Sequence, residues 1–359
     1  VEASGTNGIL NSNNTATSWT LGANLTSGYV DVIGVSGNNL TVAVSGSNIG
    51  ASAGRLQRGS NNVALASGST YTVSFLMRQT GTHTIGGYYA VITGAAAGDL
   101  GGVFDVSGSF SSGSIFNTAG TTSRIRRVER FGTDVYRCSE TFTMTASGTL
   151  TAISFGPTVS TTATTNPAVG LGIAFAAPQI ELGSVPTTFI PTTTAAVTRN
   201  ADVVTLSGAV SGCIGQTEGT IYAEVDMTSQ SGVTRTLLTL SDGTATNRIR
   251  FRLTTATNLE MERTVSGSVN ASLNVTVPAS GVSKIALGYN ASASGFVIYV
   301  NGSSVGTIAA ATPTFTNQLT RIDIGSNIGS APQFNDRIRS AALYTTRLTN
   351  AELAALTTL

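Results

Sequence analysis

The sequence predicts an all-β protein, two antiparallel β-sandwiches in series followed by a short C-terminal helix. Three observations predict it. Val, Ile and Leu alternate with Ser, Thr and other small residues in segment after segment, and period-two alternation marks strands with one buried face. Forty-one glycines punctuate those segments, while charged residues make up only 10% of the chain, too few for the polar faces of many amphipathic helices. A proline- and threonine-rich stretch then divides the 359 residues into halves that are each long enough to bury a core.

In the first half, Ser18-Trp19-Thr20-Leu21 reads as an early strand that turns the chain's single Trp inward. Residues 68–78 alternate cleanly and place Tyr71, Val73, Phe75 and Met77 on one face. Tyr88 and Tyr89 follow Gly86-Gly87 and send one ring to each face of their strand. The densest charge is Arg124-Ile125-Arg126-Arg127-Val128-Glu129-Arg130, an exposed strand whose arginine stems cover apolar surface. Residues 135–144 return to alternation, with Tyr136, Cys138, Phe142 and Met144 facing a core. From 177 to 194 three prolines and a threonine cluster keep the chain extended, so a first domain of residues 1–198 is expected, with an exit linker at about 184–200.

The second half, residues 199–359, opens with alternation over 219–227 and continues through strands at 236–243, 247–253, 258–263 and 283–289. Val297-Ile298-Tyr299-Val300 meets Asn301-Gly302, a dipeptide that tolerates the positive φ angles of a tight hairpin. Strands at 319–325 and 334–344 follow, and Thr349 or Asn350 caps a last helix at Glu352 and Leu353.

Two resemblances attach to these residues. The order of the Val297–Gly302 hairpin, the strand ending Ile324-Gly325, the strand from Phe334 to Tyr344 and the tail Leu348-Thr349-Asn350-Ala351-Glu352-Leu353 resembles the closing half of laminin-G-like and concanavalin-A-like jelly rolls. Asp336 stands where that family usually has Gly. Residues 177–202, with Gln179, Glu181, Gly183, Thr187, Phe189-Ile190-Pro191-Thr192 and Thr198-Arg199-Asn200-Ala201-Asp202, resemble the "Q-x-E-x-G-x-x-x-T-x-[FY]-I-P-T … T-R-x-A-D" motif of bacteriophage tail-fibre and other virion proteins. There the motif closes a carbohydrate-binding-module-like jelly roll. The strands at 68–78 and 135–144 resemble that module's "Y-T-x-S-F" and "W-Y-R-x-S" segments, with Val135 in place of Trp. The resemblances imply a tail or head fibre or spike of a virion that presents sandwiches to host-surface glycans. They also imply partnership with other virion proteins and a homotrimer. A purely architectural capsid or tail subunit needs the same fold. A secreted bacterial lectin or adhesin and a depolymerase fragment are the remaining alternatives.

The residues limit the chemistry. A net charge of +1 lacks the basic footprint of nucleic-acid binding. A mean hydropathy of +0.19 comes from scattered Ala and Val, with no run of the roughly 18 apolar residues that a membrane insertion needs. The chain opens at Val1 with neither Met nor a signal-like segment, so a preceding segment is expected. Cys138 and Cys213 are too few for a disulfide framework and are expected as free thiols. One histidine, His83 in a turn, gives no catalytic triad or zinc site, and Glu260 and Glu262 share a strand face, with Arg250 and Arg252 expected opposite in the neighbouring strand. No enzyme is expected. A structural Ca²⁺ is the one candidate cofactor, with Asp242, Asn335 and Asp336 as loop-positioned oxygen ligands. For glycan contact the candidates are Tyr88, Tyr89 and Trp19 as stacking rings, with Arg124 and Arg126 as guanidinium donors.

Overall fold

The computed structural model describes residues 2, 4–10, 12, 20–21, 25–29, 40–44, 56–80, 85–106, 115–116, 120–130, 133–157, 172–208, 212–227, 234–290, 295–308, 315–330 and 332–359. They form two compact units, Gly5–Arg199 and Asn200–Leu359 together with Val1–Ser4. Among the described residues every regular element but one is a β-strand, and no helix is long and apolar enough to cross a membrane.

The first unit carries β1 (Gly5–Asn7), β2 (Thr20–Leu21), β3 (Leu25–Tyr29), β4 (Leu40–Val44), β5 (Leu56–Leu65), β6 (Thr70–Thr80) and β7 (Ile85–Gly94). It continues with β8 (Gly98–Asp105), β9 (Ile115–Phe116), β10 (Thr121–Arg130), β11 (Val135–Met144), β12 (Gly148–Pro157), β13 (Gly172–Leu182) and β14 (Val197–Arg199). Two antiparallel sheets, ordered β10-β11-β6-β13-β4-β3 and β2-β5-β12-β7-β8-β9, close on one core. Alternation explains that core. Tyr71, Val73, Phe75 and Met77 of β6 are all buried, and Phe75 packs edge-on against Phe104 and Phe155 of the opposite sheet at 5.4 and 5.0 Å. Cys138, Phe142 and Met144 join them, as their shared parity predicts. Both cysteines are free thiols.

The proline-marked exit segment is extended, and much of it is held against the first unit rather than free. Gln179 Oε1 accepts from Ile190 N at 2.8 Å. Glu181 accepts from Thr187 through both its N (3.0 Å) and its Oγ1 (2.5 Å). Thr192 N donates to Ser12 Oγ at 2.9 Å. Asn7 completes the closure, because its Nδ2 donates to Ile190 O at 2.8 Å while its Oδ1 accepts from Ile9 N at 3.0 Å. Asn7, Gln179, Glu181 and Thr192 are each at most 1% exposed. The spaced Gln, Glu, Thr and Thr of the closing motif are thus the side chains that satisfy buried backbone groups where no ladder reaches.

The second unit carries β15 (Val204–Ser207), β16 (Gly219–Met227), β17 (Arg235–Ser241), β18 (Arg248–Leu253), β19 (Asn258–Val265) and β20 (Ser268–Thr276). It ends with β21 (Gly281–Tyr289), β22 (Phe296–Val300), β23 (Ser303–Ile308), β24 (Arg321–Ile324), β25 (Arg337–Tyr344) and α1 (Asn350–Thr357). Its sheets run β15-β24-β17-β18-β19-β20 and β23-β22-β21-β16-β25, all antiparallel. Asn301 and Gly302 take φ of 49° and 82°, the pair of positive angles that the two-residue hairpin needs. Thr349 caps α1, accepting from Glu352 N while Glu352 Oε2 accepts from Thr349 N at 2.7 Å. The helix buries Leu353 among Tyr222, Ala286, Val297 and Tyr299, a contribution of about 2 kcal/mol.

Candidate functional site

The proposed ligand-contact residues of the first unit lie on different faces. Trp19 lies outside the described residues, as does His83. Tyr88 points inward and is 2% exposed; its hydroxyl donates to Glu140 Oε2 at 3.0 Å. Glu140 shares the parity of Tyr136, Cys138, Phe142 and Met144, so β11 carries a carboxylate into the core. A buried charge needs a partner, and Arg124 of the edge strand β10 supplies it as an ion pair with Glu140. Arg124 Nη2 also donates to Gly101 O at 2.9 Å, and Arg126 Nη1 to Val103 O at 3.1 Å, both across to β8. Gly102 makes the room, since a Cβ there would collide with Glu140 Oε2 and crowd Arg126.

Burial pushes the Glu140 carboxyl above its ordinary range, and Arg124, Tyr88 and Arg126 pull it back only in part. Burial and the neighbouring carboxylate likewise raise the Tyr88 phenol. These four side chains tie one sheet to the other. The outward strand face carries Ile125 instead, 47% exposed. Arg124 and Arg126 point in because the inner face of the edge strand β10 meets carbonyls of β8.

Tyr89 takes the opposite face, half-buried, between Gly101 and Ser154 across the ladders and Gly87 and Val91 along its own strand. The fold places it on the other side from Arg124 and Arg126.

In the second unit the proposed Ca²⁺ ligands do not converge. Asp242 Oδ1 accepts from Thr244 N (2.8 Å) and Thr244 Oγ1 (2.6 Å), and its Oδ2 from Asn247 Nδ2 (2.9 Å) and Asn317 Nδ2 (3.3 Å). Burial alone would raise its pKa, but these donors outweigh burial and lower it. Asp336 instead accepts from the buried Arg235 at 2.9 Å, and Asn335 carries the positive φ, 54°, of that turn. Arg235 and Ser241 are the two ends of β17, roughly 20 Å apart at 3.3 Å per residue, so Asp242 follows one end while Asp336 is held by the residue that begins the other. Among the described residues no three His, Cys, Asp or Glu side chains form a metal cluster.

The arrangement with more chemistry is the outer face of the sheet from β15 to β20. Arg250 stands opposite Glu262 and Arg252 opposite Glu260, the register expected of a polar face. Arg248 Nη2 and Arg250 Nη2 hold the two oxygens of Glu262 at 2.8 and 2.9 Å, and Arg252 pairs with Glu260. Burial would raise Glu262, yet the guanidinium donors outweigh it and hold its carboxyl below the ordinary range. Two strands along, Arg321 clasps Asp323 through Nε and Nη2, both at 2.8 Å. The face therefore crosses the sheet as a charged ladder with Thr239 between its halves. Arg252 and Arg321 are the reachable members, their side chains 27% and 25% exposed. Residues 248–252, 260–262 and Arg321 with Asp323 all carry i, i+2 charges; what no local pattern marked is that β24, about seventy positions away, lies in the same sheet.

This sandwich is the part of the chain with a family match. Residues 198–354 match the concanavalin A-like lectin/glucanases superfamily. Among curated proteins none matches the chain. Of solved structures, the CBM40 module of the Ruminococcus gnavus IT-sialidase bound to α2,3 sialyllactose is 21% identical, with a TM-score of 0.37, covering 44% of this chain and 96% of that one. A botulinum neurotoxin type C structure, described as entering cells through two ganglioside molecules, is 13% identical at a TM-score of 0.36, over 44% and 40% of the two chains. Sheep galectin-11 is 13% identical at a TM-score of 0.27, over 40% and 98%.

Proposed function

We propose that this chain is a structural protein of a bacteriophage virion, a tail or head fibre or spike, whose second sandwich binds glycans of the host surface. The observation that carries the binding role is the charged ladder on the outer face of β15 to β20. It lies within the lectin-like region, and its fixed guanidinium, carboxylate and hydroxyl groups are the kind that orient sugar hydroxyls. The virion setting is supported by the closing motif over 177–202. Binding without turnover is the expected behaviour. Glycoside hydrolysis needs a carboxylic acid held protonated near neutral pH, and Glu262 is shifted the other way.

A glycan array probed with the full chain tests this reading. Binding that falls about tenfold or more in Arg252→Ala, with melting temperature nearly unchanged, supports it. Absence of binding to any glycan would overturn it. Release of oligosaccharide from host polysaccharide, abolished by Glu260→Gln or Glu262→Gln, would make the protein a depolymerase instead.

An architectural role for the first unit has its own support. The Tyr88, Glu140, Arg124 and Arg126 groups are engaged between its two sheets, which suits a spacer within a fibre.

A further inference from the structure

We infer that the turn at residues 327–330, together with Val203 and Arg321, forms a surface contact site for an N-acetylated sugar beside the edge strand β15. The inference rests on the glycan-binding reading above and names its ligand class.

The turn is strained. Asn327 and Ser330 exchange two backbone bonds of 3.1 Å, so Ile328 and Gly329 are the central pair of a two-residue hairpin turn, with φ of 54° and 71°. The second unit builds such a positive-φ pair twice more, as Ser266-Gly267 (50° and 80°) and Asn301-Gly302 (49° and 82°). Small polar residues tolerate this conformation, whereas a β-branched side chain crowds its own backbone there. Ile328 is the one β-branched residue with a positive φ among the described residues. It is half-buried and packs into neither apolar cluster of the second unit. Backbone strain that no packing offsets points to a contact made outside the folded chain.

Beside the turn lies a fixed guanidinium. A Cβ on Gly329 would lie 2.6 Å from Arg321 Nη2, 3.7 Å from Val203 Cγ1 and 3.8 Å from Asp323 Oδ1, so these groups share one neighbourhood. Arg321 commits Nε and Nη2 to Asp323, both at 2.8 Å, and Nη2 also reaches Thr205 Oγ1 at 3.3 Å. Two bonds to one carboxylate hold the guanidinium plane still. Its Nη1 has no hydrogen-bond partner among the described residues and is not closed to solvent. Val203, next to it, is 58% exposed. An oriented donor therefore stands at the surface with aliphatic groups at its side.

Their chemistry selects the ligand. Val203 and Ile328 are aliphatic, which suits a methyl group better than the stacking of a sugar ring, for which an aromatic face is needed. Arg321 is already neutralised by Asp323. A carboxylate or phosphate arriving at Nη1 would feel the Asp323 charge with no net cation to offset it, while a neutral carbonyl oxygen accepts from Nη1 without that cost. An acetamido group carries a carbonyl acceptor and a methyl on one carbon, so it meets both features at once.

The test is an array of N-acetylhexosamine oligosaccharides beside unsubstituted hexose and uronic-acid glycans, probed with the full chain and with Ile328→Asn and Val203→Ser. Asn adopts positive φ readily, so Ile328→Asn should raise the melting temperature by about 2–4 °C. Val203→Ser, at an exposed position, should leave it nearly unchanged. The expected result is preferred binding of N-acetylated oligosaccharides by the wild type, weakened about fivefold or more in each variant. Ile328→Asn would then be more stable and bind less well. Variants that bind like wild type would overturn the site and leave glycan binding intact. A lower melting temperature in Ile328→Asn would show its side chain held by packing, and would overturn the assignment of strain to this turn. Preference for unsubstituted or uronic-acid glycans would overturn the ligand class. No binding of any glycan by the wild type would remove both the site and the reading it rests on.

Discussion

Tyr88 and Tyr89 are adjacent in sequence and do different work. The inner ring belongs to a buried network, so Tyr88→Ala should cost about 3–5 kcal/mol. Tyr88→Phe should cost about 1–3 kcal/mol, because it strands an oxygen of Glu140 without its donor. Tyr89→Ala should stay within about 1 kcal/mol, and urea denaturation of the three variants orders them. Carboxylates also give the two units opposite responses to pH. Glu262 has a folded pKa depressed below its ordinary 4.5, so its contribution is present above that value and is lost as pH falls through the folded pKa. Glu181 is raised from 4.5 by burial, against the donors of Thr187 and Gln179, so its contribution is full at low pH and lost as pH rises through the folded value. Calorimetry on acidification should therefore lower the transition of the second unit relative to the first. Glu262→Gln should flatten that difference, and parallel shifts of both transitions would contradict the assignment.

Among the elements, the returning segment 184–192 has the clearest consequence. Its backbone is satisfied by Asn7, Gln179, Glu181, Ser12 and Thr192 rather than by a ladder. Asn7→Ala would leave several buried backbone groups unpaired at about 1–3 kcal/mol each, so a loss of about 3 kcal/mol or more is expected by chemical denaturation of the first unit. Exposure resumes at 193–196. A nonspecific protease used sparingly should cut there and spare 184–192, because a buried, hydrogen-bonded strand of chain cannot enter a protease cleft. Fragments ending within 184–192 would show that the segment is not held in solution.

At the scale of the whole molecule, two sandwiches with separate cores suit a fibre that repeats its binding faces. Single glycan contacts are weak, and presenting several copies raises avidity without any new contact. A homotrimer is expected, and light scattering of the full-length protein at micromolar concentration should return three times the mass of one chain. The edge strand β15 leaves Val204 and Leu206 41% and 50% exposed, the kind of apolar edge that association covers. A monomer at that concentration would count against the trimer.

Much of this architecture was legible along the chain. Period two put Phe75, Cys138 and Phe142 into a core and paired Arg250 with Arg252 and Glu260 with Glu262 on polar strand faces, turn chemistry put Asn301-Gly302 into a hairpin, and capping preference put Thr349 or Asn350 at a helix start. These are local properties, decided by backbone geometry and by neighbours a few positions away. The alternation of Tyr88 and Tyr89 was equally plain, but which ring faced the core depended on the sheet that packs against β7. Glu140 carried the right parity for burial, yet its partner came from an edge strand whose inward side no local pattern marks. The Ca²⁺ candidates shared a residue type but not a place, since β17 holds them at opposite ends. The row of Arg250, Thr239 and Asp323 brings together residues some seventy to eighty-five positions apart. Only long-range strand pairing can create such a neighbourhood, because side-chain period fixes a residue's face and never what will lie across from it.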